Sequence, residues 1–225
     1  MPPDDRTMSP RHDPMPAVHR ELRPQFALAA LGVSLVGVAY LLLPAGLTVG
    51  PSWLALALDA VVLLPLLYAA FFRPLPHSMA RGIRAGLQGV LTLALLSSLV
   101  LLVSDLPHFS HGGQLLRPAA LLWVSNILLF AGWYWELDGD GPITRHLRGH
   151  PAVDFLFPQQ SEASRRREWG PGFVDYLFLA FCFATALSPA DTAPLSHRTK
   201  LLMMAEAAIS LTIGALLIAR AVNIF

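Results

Sequence analysis

Five stretches of this chain, Phe26–Leu43, Trp53–Phe72, Ala85–Val103, Pro118–Trp135 and Leu201–Val222, are almost wholly apolar. Each runs for about 18–22 residues, enough for a helix to cross a hydrocarbon layer of roughly 30 Å. These blocks imply that the solvent is a lipid bilayer. Composition agrees. Hydrophobic residues make up 54% of the chain without counting glycine, and charged residues only 14%. A soluble domain carries about 25% charged residues and needs glycine to reach about 45–50% apolar.

A further apolar block, Phe173–Pro189, is shorter and carries Asp175 near its start. At that length a re-entrant segment competes with a full span. The expected fold is therefore an all-α integral membrane bundle. It has six hydrophobic segments: five transmembrane helices and this short block, which crosses or re-enters. Residues 1–24 are polar and broken by Pro2, Pro3, Pro10, Pro14 and Pro16, so they read as a disordered tail. Residues 25–135 form a four-helix membrane region, 136–172 a soluble loop, and 173–225 the short block followed by the last helix. No internal repeat supports an inverted-repeat transporter.

The positions of lysine and arginine orient the chain, because they concentrate in short cytoplasmic loops. The N-terminal tail holds Arg6, Arg11, Arg20 and Arg23. The second loop holds Arg73, Arg81 and Arg84, and 136–172 holds Arg145, Arg148 and Arg165–Arg167. The N-terminus and the 136–172 loop are thus expected in the cytoplasm, with the plasma (inner) membrane as location. The side of Phe225 depends on whether the short block crosses. Trp53, Trp133, Tyr134, Trp135 and Trp169 fall at block ends, where interfacial aromatic anchors belong.

Little in the sequence suggests catalysis. There is no G-x-S-x-G, H-E-x-x-H or phosphate-binding glycine loop, so no enzyme activity and no cofactor are expected. Cys182 is the one cysteine, which excludes a disulfide framework and a thiolate zinc cluster. A net charge of +1 gives no reason to expect a nucleic-acid partner. Asp105, His108 and His111 share a loop, but a solvated turn accounts for them. Glu136-Leu-Asp138-Gly-Asp140-Gly141 opens like a calcium loop, yet its twelfth position is Leu147 where a bidentate Glu is required. It reads instead as a turn leaving the bilayer.

The residues that stand out are ionisable or polar groups inside apolar blocks. Asp59 lies within the second block, ahead of Pro65, and Glu206 lies within the last. A charge at such a depth costs at least about 2.5 kcal/mol on insertion scales, so both acids should face protein or a water-filled cavity. Each reads either as an ion or proton site or as a fastener between helices. Ser210-x-x-x-Gly214 places small residues where another helix can approach closely, a helix-packing signal.

Two resemblances rest on the last third of the chain. Asp175-Tyr176-Leu177-Phe178, Ser188-Pro189-Ala190-Asp191, Arg198 and Val222-Asn223, with Asp59 and Asp154-Phe155-Leu156-Phe157-Pro158 further upstream, resemble the pattern of an uncharacterised family of bacterial multi-pass membrane proteins. That family brings no established activity. The same stretch is similar to the pore module of two-helix potassium channels, in which a short pore helix precedes the filter and an inner helix follows. Thr185 to Asp191 reads T-A-L-S-P-A-D. Ser188 and Ala190 stand where that filter has glycines, so a potassium-selective cage of backbone carbonyls is not expected.

Asp59 and Glu206 within apolar blocks, together with the pore-like Thr185–Asp191 segment, lead to the expectation of an ion or small-solute pathway in a homo-oligomer. Thr185, Ser188 and Asp191 would line a constriction, and Asp59 and Glu206 would supply fixed negative charge. The alternative is a non-transporting membrane scaffold or accessory subunit that meets a protein partner through 136–172.

Overall fold

A computed structural model describes residues 15–72, 76–106, 112–161, 169–185 and 191–222. The described residues are all-α apart from one two-residue strand pair. In order, the helices are α1 (Met15–Leu41), α2 (Trp53–Phe72), α3 (His77–Ser104), α4 (Gly112–Leu137), α5 (Pro142–Leu147), α6 (Pro158–Ser161), α7 (Phe173–Thr185) and α8 (His197–Val222). Strand β1 (Phe155–Leu156) pairs antiparallel with β2 (Ala193–Pro194).

Among the described residues four helical stretches are long and apolar enough to cross a membrane: Arg20–Leu41, Ser78–Ser104, Gln114–Asp140 and His197–Ala219. Two shorter apolar helical stretches, Trp53–Leu64 and Phe173–Thr185, accompany them. Helix α4 is the centre of the bundle. It packs on α1, α3, α7 and α8, while α2 packs on α1 and α3. Burial follows that plan: 61% of the α4 span is enclosed, against 28% of the α1 and α8 spans. The exposed residues of the outer helices, such as Leu93, Leu201 and Leu211, are apolar. A surface of that kind suits hydrocarbon rather than water.

Three sequence expectations need correction. Residues 15–24 are not a loose tail but the first turns of α1. Pro16 falls in the first turn, where its missing N–H has no helical partner to lose. Val18 and Leu22 then bury against Ile143 of α5. Residues 136–161 are not a soluble loop either, since Asp138, Ile143, Arg145, Asp154, Phe155 and Phe157 are all buried. They fold back as a cap over one end of the bundle. Finally, Tyr134 and Trp135 are core residues rather than interfacial anchors. Trp135 packs edge-on to Phe26 and Phe173 at 5.0 and 5.7 Å, and Tyr134 does the same to Phe155 at 5.4 Å. Trp53, by contrast, is exposed at the start of α2.

The reversal after α4 is local backbone chemistry. Gly139 and Gly141 have φ of 59° and 98°, and Asp140 between them has 65°. Glycine enters this left-handed region at no steric cost, so the chain turns sharply and starts α5 with Pro142 in the first helical turn.

Candidate functional site

The cap is held by four carboxylates and their arginine partners. At the end of α4, Glu136 accepts from Arg84 of α3, with Nε–Oε1 at 2.5 Å and Nη2–Oε2 at 3.3 Å. Arg81 and Arg148 flank Asp140 at 3.6 and 3.5 Å. Asp138 is enclosed; Tyr176 of α7 donates to it, and Arg145 lies 3.7 Å away. Arg145 also donates to the Asp138 carbonyl at 2.7 Å. Asp154 accepts from Arg198 at the start of α8 and from the Gly139 backbone N–H at 3.0 Å. Burial alone would raise the Asp154 pKa. Donors from Arg198, Ser196 and Gly139 outweigh that and hold it below the ordinary carboxylate value. His150 moves down through burial, then through the neighbouring charges of His146 and Arg145.

The cap also fixes the path of the short apolar segment. Helix α7 begins beside the end of α4, where Phe173 meets Trp135 and Tyr176 meets Asp138. Its thirteen residues reach about 20 Å from there at 1.5 Å per residue. There the Ala184 carbonyl accepts from Trp123, in the middle of α4, at 3.4 Å. By β2 the chain is back at the cap. Ala193 pairs with Leu156, and Leu195 N–H donates to the Asp154 carbonyl at 2.8 Å. Arg198 donates to the Leu137 carbonyl at 3.2 Å. Both ends of the segment 173–196 therefore lie at the capped end of the bundle, and its helix tip lies about halfway along α4.

Helix α8 then runs antiparallel along α4. Glu206 is fully buried at this contact and accepts from Tyr134. Asn126 donates to the Glu206 carbonyl at 3.3 Å and to Ser210 Oγ at 2.8 Å. Glu206 Oε1 and Asn126 Oδ1 have no hydrogen-bond partner among the described residues.

Asp59 stands apart from this cluster, on the α1–α2 contact. It is 1% exposed, and neither carboxyl oxygen has a hydrogen-bond partner among the described residues. A Cβ on Gly37 of α1 would occupy the place of Asp59 Oδ2, so the glycine makes the notch that admits the acid. A groove of about 350 Å³ between α1 and α2 runs beside it.

The structure thus distributes the residues singled out from sequence. Glu206 and Ser210 share the α4–α8 contact. Thr185 ends α7 and bonds back to the Phe181 carbonyl at 2.8 Å. Asp191 is exposed, two residues before β2. Ser188 lies outside the described residues, as do His108, His111, Asn223 and the Arg165–Arg167 run. Gly214 has open space beside it within this chain, so it marks no close helix contact here. Among the described residues no three His, Cys, Asp or Glu side chains gather to hold a metal ion. Sequence reasoning missed Tyr134, Tyr176 and Gly37. The acids of Glu136-Leu-Asp138-Gly-Asp140 and the arginines used for orientation were the available signal for the cap. Searches against protein families, curated proteins and solved structures find no match to this chain.

Proposed function

We propose that this chain is a multi-pass plasma-membrane protein in which the segment 173–196 is re-entrant and, in a homo-oligomer, lines a pathway for a small cation. One observation carries the reading: α7 reaches Trp123, about halfway along α4, while the described chain before and after it is anchored at the cap. In a bilayer a re-entrant segment persists only where protein or a water-filled cavity surrounds it. The C-terminal end of a helix also carries about half a negative charge, which favours a cation there.

Orientation supports the same arrangement. Arg20, Arg23, Arg81, Arg84, Arg145, Arg148, Arg198 and Lys200 all belong to the capped end, through α1, α3, the cap and the start of α8. By the positive-inside rule that end is cytoplasmic, so the segment enters from the cytoplasm and α8 carries the C-terminus outward. Thr185 at the helix tip and Asp191 on the return are the residues assigned to the pathway. Glu206 lies at the α4–α8 contact.

Flux measured with purified protein in liposomes tests the proposal. Potassium, sodium and proton flux are each followed with a fluorescent indicator. Flux of at least one cation is expected, lowered by Thr185→Val and by Asp191→Asn. Absence of flux for all three, or flux indifferent to both substitutions, would sink it.

A further inference from the structure

Asp59 has a different setting from the other buried acids and from the acids of the cap. Glu136, Asp138, Asp140 and Asp154 each have an arginine, and Glu206 has Tyr134. Asp59 has neither, although it is 1% exposed. An isolated carboxylate in an apolar interior is so unfavourable that the group takes up a proton instead. Among the described residues the neighbours supply no countercharge. Ala27, Ala30, Ser34, Ala60 and Leu63 line the groove with it, and Ser34 is the polar one. On α3, Arg81 and Arg84 are engaged at the cap with Asp140 and Glu136, and Asp105 lies at the opposite end of that helix. Tyr40 lies one turn beyond Gly37 on α1.

Both carboxyl oxygens are enclosed, and the groove lies against the same side chain. Its volume is about 350 Å³. It is flanked by the outward-facing Leu31, Val61 and Leu64, so it opens sideways onto the apolar surface of the bundle. Gly37 fits this design, since any side chain there would fill the notch that the carboxyl occupies.

We propose that Asp59 is a reversible proton-binding site, reached laterally from the apolar groove between α1 and α2. It stands independently of the re-entrant segment, because α2 packs on α1 and α3. A failure of cation flux leaves it intact, and its own failure leaves the re-entrant reading intact.

The test uses the full chain in liposomes and the lipophilic reagent N,N′-dicyclohexylcarbodiimide. The neutral acid adds across one C=N bond. A carboxyl oxygen bonds to the central carbon, and the acid proton passes to a carbodiimide nitrogen. The acyl group then migrates to nitrogen and leaves a stable N-acylurea, with no group lost. Peptide mass mapping is expected to place the adduct on Asp59, with none at that position in Asp59→Asn. Labelling should fall about tenfold per pH unit above the midpoint of titration, return when the pH is lowered, and not occur with a water-soluble carbodiimide. The infrared carbonyl band of the protonated acid, followed in the unsubstituted protein, should titrate over the same range and needs no variant to fold. No labelling at any pH, labelling that is constant across all pH values, or equal labelling by the water-soluble reagent would overturn the proposal.

Discussion

Arg198 grips Asp154 through two parallel contacts, Nη2 to Oδ2 at 2.5 Å and Nε to Oδ1 at 2.9 Å. This fork joins the first turn of α8 to the cap that follows α4, across 44 residues of sequence. Asp154 is buried and Arg198 is partly exposed, so the two ends of the pair differ in what their loss leaves behind. Removing the arginine strands a buried carboxylate.

Acid sensitivity should follow from that pair. The folded pKa of Asp154 lies below its ordinary value, so its contribution to stability is fully present above about pH 3.9. The contribution is lost as pH falls through the lower, folded value. Thermal unfolding midpoints in detergent between pH 7 and pH 3 should fall less steeply for Asp154→Asn than for the unsubstituted chain. At pH 7 the variant should be less stable by about 2 kcal/mol, the scale of a hydrogen bond to a charged group. Identical pH profiles would remove Asp154 as the cause.

Tyr134 and Glu206 should be energetically coupled, because the phenol donates to the buried carboxyl. Interhelical hydrogen bonds in membrane proteins contribute about 0.6 kcal/mol on average and up to about 1.7. A double-mutant cycle with Tyr134→Phe and Glu206→Gln, read by unfolding in mixed detergent, should give a coupling in that range. Strict additivity would mean that the contact contributes nothing.

Gly37→Ala should disturb the α1–α2 contact, because the added methyl meets the Asp59 carboxyl and approaches the Leu56 backbone within 3.1 Å. Overpacking of this kind costs about 1–3 kcal/mol. Shortening the acid in Gly37→Ala with Asp59→Ala should recover part of that loss, although the backbone contact with Leu56 remains. A double variant no more stable than Gly37→Ala alone would show that the carboxyl is not the obstruction.

Sidedness offers the most direct check on the short segment. On a Cys182→Ser background, single cysteines at Arg148 in the cap and at Asp191 on the return should react with an impermeant thiol reagent from the same side of the membrane. A cysteine at Val49, on the exposed connection between α1 and α2, should react from the other side. Arg148 and Asp191 on opposite sides would mean that the segment crosses.

The apolar blocks and their lengths made the helical membrane character legible from sequence, because a long run without charge has few other stable solutions. The acids inside those runs were legible for the same reason, since Asp59 and Glu206 break a pattern that lipid enforces. Their surroundings were not legible. Nothing in the order of residues says that Glu206 meets Tyr134, 72 positions earlier, or that Asp59 meets a glycine rather than an arginine. Those pairings depend on which helix faces pack together.

The segment around α7 shows the division most clearly. Sequence alone determined that the block is short and apolar, which left crossing and re-entry open because hydropathy measures length and not direction. The tertiary structure decided where its ends go. Tyr176 is held by Asp138, Ala193 is paired with Leu156, and Arg198 is held by Asp154. These long-range polar contacts bring both ends of the segment back to one end of the bundle.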